Sequence, residues 1–366
     1  MKKAIRIILT IIVVAGMALS TVYLVFEPSF LSPPEAPEGE EPETVADGFY
    51  DEGEGWFYFE NGEIARKTDI IQGTVNEKTG YWQVVNGMVD FSAVSLEKTE
   101  NNTWQYIKNG EVTEQTDETV SLIFGEILNS LSGEEKTETF GKFSLSAEEE
   151  ILLKNRINSV TSKGYELGFV VMNLNTLEGF SYNADERIYS ASAIKAPYVV
   201  SLVKSDNTIL RKENKRIDAI LKRSSNFDYE SMRDMYGDDC FVDFSSETKN
   251  DWVIDTTRNY QYMTPRALAH LWAGSYVFFE SGEAGESIGE MFESPVISPI
   301  HKIFSDENTT RTKAGWISKN NIDITNDAGI VYTDNGDYLV VIMTTAPCDF
   351  SVVETLAEGI KTVIFK

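Results

Sequence analysis

The chain has 366 residues, 42% hydrophobic and 25% charged, a composition that suits a folded protein and excludes a collagen-like or wholly disordered one. Its 58 Asp and Glu against 32 Lys and Arg leave a net charge of −26, which repels phosphate backbones and speaks against a nucleic-acid partner. The two histidines belong to no HExxH and the two cysteines to no CxxC, so neither a metal nor a cofactor is expected.

Residues 7–26 carry no charge and follow Lys2, Lys3 and Arg6. At about 1.5 Å per residue such a run spans a bilayer core. Residues 1–27 are therefore expected to be a membrane anchor with the rest of the chain outside the cell membrane, the basic flank staying inside. A cleaved signal peptide with secretion is the alternative, since Ala18 and Ser20 suit a peptidase. Residues 27–54 hold ten acidic residues, five prolines and no Lys or Arg. Self-repulsion extends such a segment, so 28–48 reads as an acidic, Pro-rich linker.

An aromatic pattern then recurs three times, around Asn61-Gly62, Asn86-Gly87 and Asn109-Gly110. Asn-Gly between β-forming runs predicts a hairpin with a type I′ turn, which needs positive φ at both central residues. Short hairpins are not stable alone, so 49–116 is expected to form a stacked β-hairpin repeat module. The pattern resembles the aromatic repeats of Gram-positive cell-wall-binding modules. That resemblance implies cell-wall glycan as a partner, whereas aromatics that merely fill a small core are the simpler reading.

Residues 117–145 form a linker with one short amphipathic helix, because Val120, Ile123, Phe124, Ile127, Leu128 and Leu131 recur at three- and four-residue spacing. A polar spacer over 133–141 follows. From 146 to 366 the pattern is α+β. Ser146 and Glu149 make a capping box and Gly164 suits the helix end. Strands are predicted at 168–174, 179–182, 312–318, 328–333 and 338–345, with a closing helix at 351–364. Together they imply an antiparallel sheet flanked by helices, with a helical insertion.

Ser192 and Lys195 stand three residues apart at a predicted helix start, so the ammonium can reach the hydroxyl. A serine is a weak nucleophile at neutral pH, and a partly desolvated lysine can serve as its base where no histidine is at hand. SxxK alone occurs often by accident. Ser224-Ser225-Asn226, Lys313-Ala314-Gly315, Asp327-Ala328-Gly329 and the helix start Thr264-Pro265 follow in the order that makes the domain resemble the class A β-lactamase and penicillin-recognising serine hydrolase family, whose motifs are SxxK, SDN and KTG.

The resemblance implies a β-lactamase-like fold with a shortened helical subdomain and an extracytoplasmic serine hydrolase that is acylated by β-lactams or cell-wall peptide amides. Ser192 would be the nucleophile, Lys195 its proton acceptor and Ser224 the relay to the leaving nitrogen. Asn226, Lys313, Gly315 and Trp316 would bind substrate, the backbone N–H groups of Ser192 and Trp316 forming the oxyanion site. Ser225 replaces the motif's Asp, Ala314 its Thr, and Trp316 a small residue. In place of the family's ExxLN loop, Glu247 is a deacylation base by position only. A cell-wall-binding or sensory protein without turnover, and a D-Ala-type peptidase, are the alternatives. Cys240 and Cys348 would lie where a disulfide is permitted, and His270 is expected at the edge of the core.

Overall fold

Asn61-Gly62, Asn86-Gly87 and Asn109-Gly110 have φ of 55° and 82°, 51° and 87°, and 53° and 76°. These are the two consecutive positive values of a turn whose twist matches antiparallel strands. They lie in a nine-stranded sheet made of β1 Gly48–Asp51, β2 Trp56–Glu60, β3 Glu63–Ile64, β4 Asp69–Val75, β5 Lys78–Val85, β6 Met88–Val89, β7 Val94–Lys98, β8 Trp104–Lys108 and β9 Glu111–Gln115. A further turn without glycine, Asn76-Glu77, joins β4 to β5. The computed structural model describes residues 45–365. The predicted anchor and most of the acidic linker lie outside the described residues, among which no helix is long and apolar enough to cross a membrane.

The sheet is packed in two places. Phe49, Ile71, Val75, Trp82, Val84 and Val89 form a small core of their own. Leu96 and Trp104 instead join the large core of the following domain. Burying an aromatic of this size typically contributes several kcal/mol. The Trp104 indole donates to Asp117 at 2.7 Å and its ring lies 6.0 Å from that of Tyr276. Helix α1, Asp117–Asn129, starts at the Thr116 cap and buries Val120, Phe124 and Leu128.

The expected polar spacer contains a strand, β10 Thr137–Phe140. It is a half-exposed edge with little apolar periodicity, which hides it in the sequence. Helix α2, Ala147–Thr161, carries the Ser146–Glu149 capping box. Strands β11 Leu167–Asn173 and β12 Glu178–Tyr182 follow, then β13 Ile188–Tyr189. The helical middle consists of α3 Lys195–Ser205, α4 Thr208–Lys212, α5 Asn214–Arg223, α6 Asn226–Tyr236 and α7 Asp239–Glu247; after β14 Tyr262–Met263 come α8 Pro265–Phe279, α9 Gly282–Glu290 and α10 Pro299–Phe304. The chain ends with β15 Thr309–Lys319, β16 Ile322–Thr333, β17 Gly336–Thr344 and α11 Phe350–Ile364.

Six strands form the second sheet in the order β10-β12-β11-β17-β16-β15. Alternate residues of β11 face opposite cores. Val170 and Met172 pack with α8 and the helical middle, whereas Phe169 and Val171 pack with α2 and α11. Every residue of β11 is buried as a result, so it reads as an unbroken apolar run. Arg266 at the start of α8 donates to both carboxylate oxygens of Asp185, at 2.7 and 2.8 Å, and to the carbonyls of Leu128 and Leu131. This cation thus satisfies carbonyls at the end of α1.

Candidate active site

The chain approaches Ser192 in a strained conformation. Ala191 has φ of 43°, in the left-handed region that a Cβ disfavours, and Ser192 is the second residue of the 3-10 turn Ala191–Ile194 that leads into α3. Holding such a residue costs on the order of 1–3 kcal/mol and requires support from its surroundings. Asn326 of β16 supplies some, its Nδ2 donating to the carbonyls of Tyr189 at 2.8 Å and Ser190 at 3.1 Å. Gly315 of β15 presses on the same turn. A Cβ there would stand 2.3 Å from the Ala193 nitrogen and 2.6 Å from that of Ser192, so only glycine lets the strand lie against the turn.

Lys195 is the first residue of α3 and is fully buried. Its Nζ donates to the Ser224 carbonyl at 2.7 Å and to Asn226 Oδ1 at 2.6 Å. Desolvation lowers its pKa to about 8, the charge of Glu230 opposing the shift. The lysine is therefore close to the balance point that a general base needs.

Ser224 caps α5 in a left-handed conformation, φ 57°. Ser225 caps α6, accepting from the Asp228 N–H at 3.2 Å while its hydroxyl donates to the Asp228 carboxylate at 2.5 Å. A carboxylate three residues on thus supports the loop that lacks the motif's Asp.

Lys313 reaches in from β15, its Nζ 3.0 Å from Ser224 Oγ. Burial, followed by repulsion from Lys195, lowers its pKa to about 7, with Asp327 acting in the opposite sense. Asp327 is fully buried and accepts from Ser298 Oγ at 2.7 Å and from the Ile300 N–H at 2.8 Å. Desolvation raises its pKa to about 7 despite these bonds. Trp316 stands edge-on to Phe350, with centroids 5.4 Å apart, and its ring centroid is 5.8 Å from Lys313 Nζ.

The structure thus gathers Lys195, Ser224, Asn226 and Lys313 by direct hydrogen bonds, with Gly315 against the Ser192 turn. Glu247 is elsewhere. It ends α7 and pairs with Lys204, near the far end of α3. Nine residues of helix separate Lys204 from Lys195, about 13 Å at 1.5 Å per residue. Its ion pair is thus with the far end of α3 and not with the turn that carries Ser192. Cys240 and Cys348 are free thiols. His270 is wholly buried rather than at the core edge, with Nδ1 2.7 Å from the Thr248 carbonyl and Nε2 3.1 Å from Asn129 Oδ1. Sequence reasoning missed Asn326, Asp228 and Tyr260, whose hydroxyl donates to Asn226 Oδ1 at 3.0 Å. No motif spacing links these residues to Ser192.

Solved structures match the chain at low identity. A β-lactamase from Sphaerobacter thermophilus has a TM-score of 0.50 at 15% identity, covering 58% of this chain and 94% of its own. A β-lactamase from Desulfarculus baarsii has 0.49 at 15%, covering 61% and 100%. No curated protein matches the chain. The Beta-lactamase enzyme family matches residues 152–218 and 228–362, a span that contains Ser192, Lys195 and Lys313 and passes over Ser224 and Asn226. With more than half of its length accounted for in this way, the chain belongs to the beta-lactamase enzyme family.

Proposed function

We propose that the protein is a serine hydrolase that forms an acyl-enzyme at Ser192 with β-lactams or related cell-wall amides. The observation that carries this is the convergence of two buried lysines on Ser224, Lys313 on its hydroxyl and Lys195 on its carbonyl. In its neutral form Lys195 accepts the Ser192 proton as Oγ attacks the substrate carbonyl. With a pKa of about 8, about a tenth of it is neutral at pH 7. The oxyanion lies between the Ser192 and Trp316 N–H groups, each such donor being worth on the order of a hundredfold or more. Collapse breaks the C–N bond, Ser224 passes its proton to the leaving nitrogen, and the proton that Lys195 took from Ser192 is returned to Ser224, while Lys313 keeps its charge beside the hydroxyl. Asn226 binds the acyl side-chain amide.

In this reading Glu247 does not activate a deacylating water, because it is engaged with Lys204. The acyl-enzyme persists, which favours slow turnover or a sensory role over an efficient β-lactamase. We further propose that residues 1–27 anchor the protein in the cell membrane with the hydrolase domain outside, and that the hairpin sheet, with Tyr50 and Tyr81 exposed, meets cell-wall glycan. The deciding experiment incubates the purified protein with a labelled penicillin and follows adduct mass at Ser192 and its decay. A stable adduct supports the reading. Rapid turnover would make it a working β-lactamase, and no adduct would remove the hydrolase assignment.

A further inference from the structure

The environment of Lys195 contains an aromatic wall that the mechanism above does not use. Tyr229 of α6 and Tyr260, in the segment between α7 and β14, each place a ring centroid 5.6 Å from Lys195 Nζ, and the two rings are 5.6 Å apart. Tyr229 is tied down by its hydroxyl, which donates to the Asn259 carbonyl at 3.1 Å and lies 3.1 Å from Arg233. Tyr260 directs its hydroxyl inward, to the oxygen of Asn226 that also accepts from Lys195.

The chemistry of the donors decides which way the Asn226 amide points. An ammonium has protons to give and no lone pair, so the amide atom 2.6 Å from Lys195 is the oxygen. The Tyr260 hydroxyl, facing the same oxygen, donates as well. A rotated amide would turn its NH₂ group toward the ammonium and leave the tyrosine proton without its acceptor. We infer that Tyr260 is a positioning residue for acylation, its hydroxyl locking the Asn226 amide with the oxygen toward Lys195 and so holding the lysine beside Ser192. The inference rests on Ser192 being the nucleophile and Lys195 its base.

The charged and titratable groups facing Lys195 are Glu230 and Tyr229 on α6, Lys313 on β15 and Tyr260 itself. None of the other three touches the Asn226 oxygen through a bond that Tyr260→Phe would remove. That variant keeps the ring against the lysine and deletes only the lock. A freely rotating amide is a poorer acceptor for the ammonium, so the protonated form loses support and the neutral form gains.

The test measures acylation of the full chain by a fluorogenic penicillin from pH 5 to 9. Tyr260→Phe is expected to move the acidic limb to lower pH by about half a unit and to lower the maximum of the profile about tenfold, since a loosened base spends less time in line. In an Asn226→Ala background the same change is expected to do nothing, because the residue it acts through is gone. An unmoved limb in the native background, or an equal effect in both, overturns the inference. A Ser192→Ala protein that is still acylated overturns the underlying reading instead. Should the native protein resist acylation, ¹³Cε-lysine NMR, assigned by loss of one signal in Lys195→Met, reads the lysine directly. A lower titration midpoint in Tyr260→Phe then supports the lock, and an unchanged one rejects it.

Discussion

Leu96 and Asn175 hold the hairpin sheet to the hydrolase domain. The Leu96 N–H donates to the Asn175 carbonyl at 2.6 Å, and the Asn175 side-chain amide donates back to the Leu96 carbonyl at 3.0 Å. Asn175 also accepts from the Asp337 N–H at 2.7 Å, which joins the β11–β12 and β16–β17 turns. One asparagine therefore binds three segments, and with Trp104 in the common core the contact is part of the fold.

Asn175→Ala is expected to destabilise the protein by about 2 kcal/mol, since it strips partners from two partly buried backbone groups. Trp104→Ala should cost about 3–5 kcal/mol through the cavity it leaves. Both are read by urea denaturation, and both should leave acylation at 20 °C within about twofold of the parent. A Trp104→Ala protein as stable as the parent would show that the sheet is only loosely attached.

Ser192→Ala should abolish adduct formation, and Lys195→Ala should slow it by a factor of about 10²–10⁴, the usual worth of general-base help. Intact-protein mass spectrometry against time gives both values.

The two lysines give acylation a particular pH dependence. Lys195 is protonated below about 8, so acylation should climb as pH rises toward that value. Lys313 loses its charge above about 7, so a carboxylate-bearing donor should lose affinity there. A bell-shaped kcat/KM is expected for such a donor and a plain rise for an uncharged ester. Both folded pKa values lie below the ordinary 10.5. The unfolded chain therefore binds more protons between about 7 and 10.5, and these lysines make stability increase with pH across that window.

Gly315→Ala should reduce acylation at least a hundredfold in a protein that still folds. The added methyl must displace the turn carrying Ser192, and a misplacement of about 1 Å typically costs that much. A variant with native acylation would mean that β15 can retreat without consequence.

Glu247→Gln should leave deacylation unchanged, and loss of its half-exposed pair with Lys204 should cost less than about 1 kcal/mol. A large fall in turnover would return Glu247 to the site.

What the sequence determined by itself was local in origin. The positive φ of Asn61-Gly62 follows from the intrinsic tolerance of those two residues, and the Ser146–Glu149 cap closes within one helical turn. The pattern of α1 and the Ser192–Lys195 spacing needed nothing more distant than the next turn of helix. Long-range pairing decided the rest. Strand β10 exists because β12 offers an open edge, not because its four residues favour extension. Asn326 and Gly315 act on Ser192 from the far end of the chain, and Tyr260 meets Asn226 across 34 residues. Glu247 sat at a plausible distance in sequence, yet its helix turned it toward Lys204. Spacing along a chain constrains geometry only within one element, and beyond that the packing of elements chooses which side chains meet.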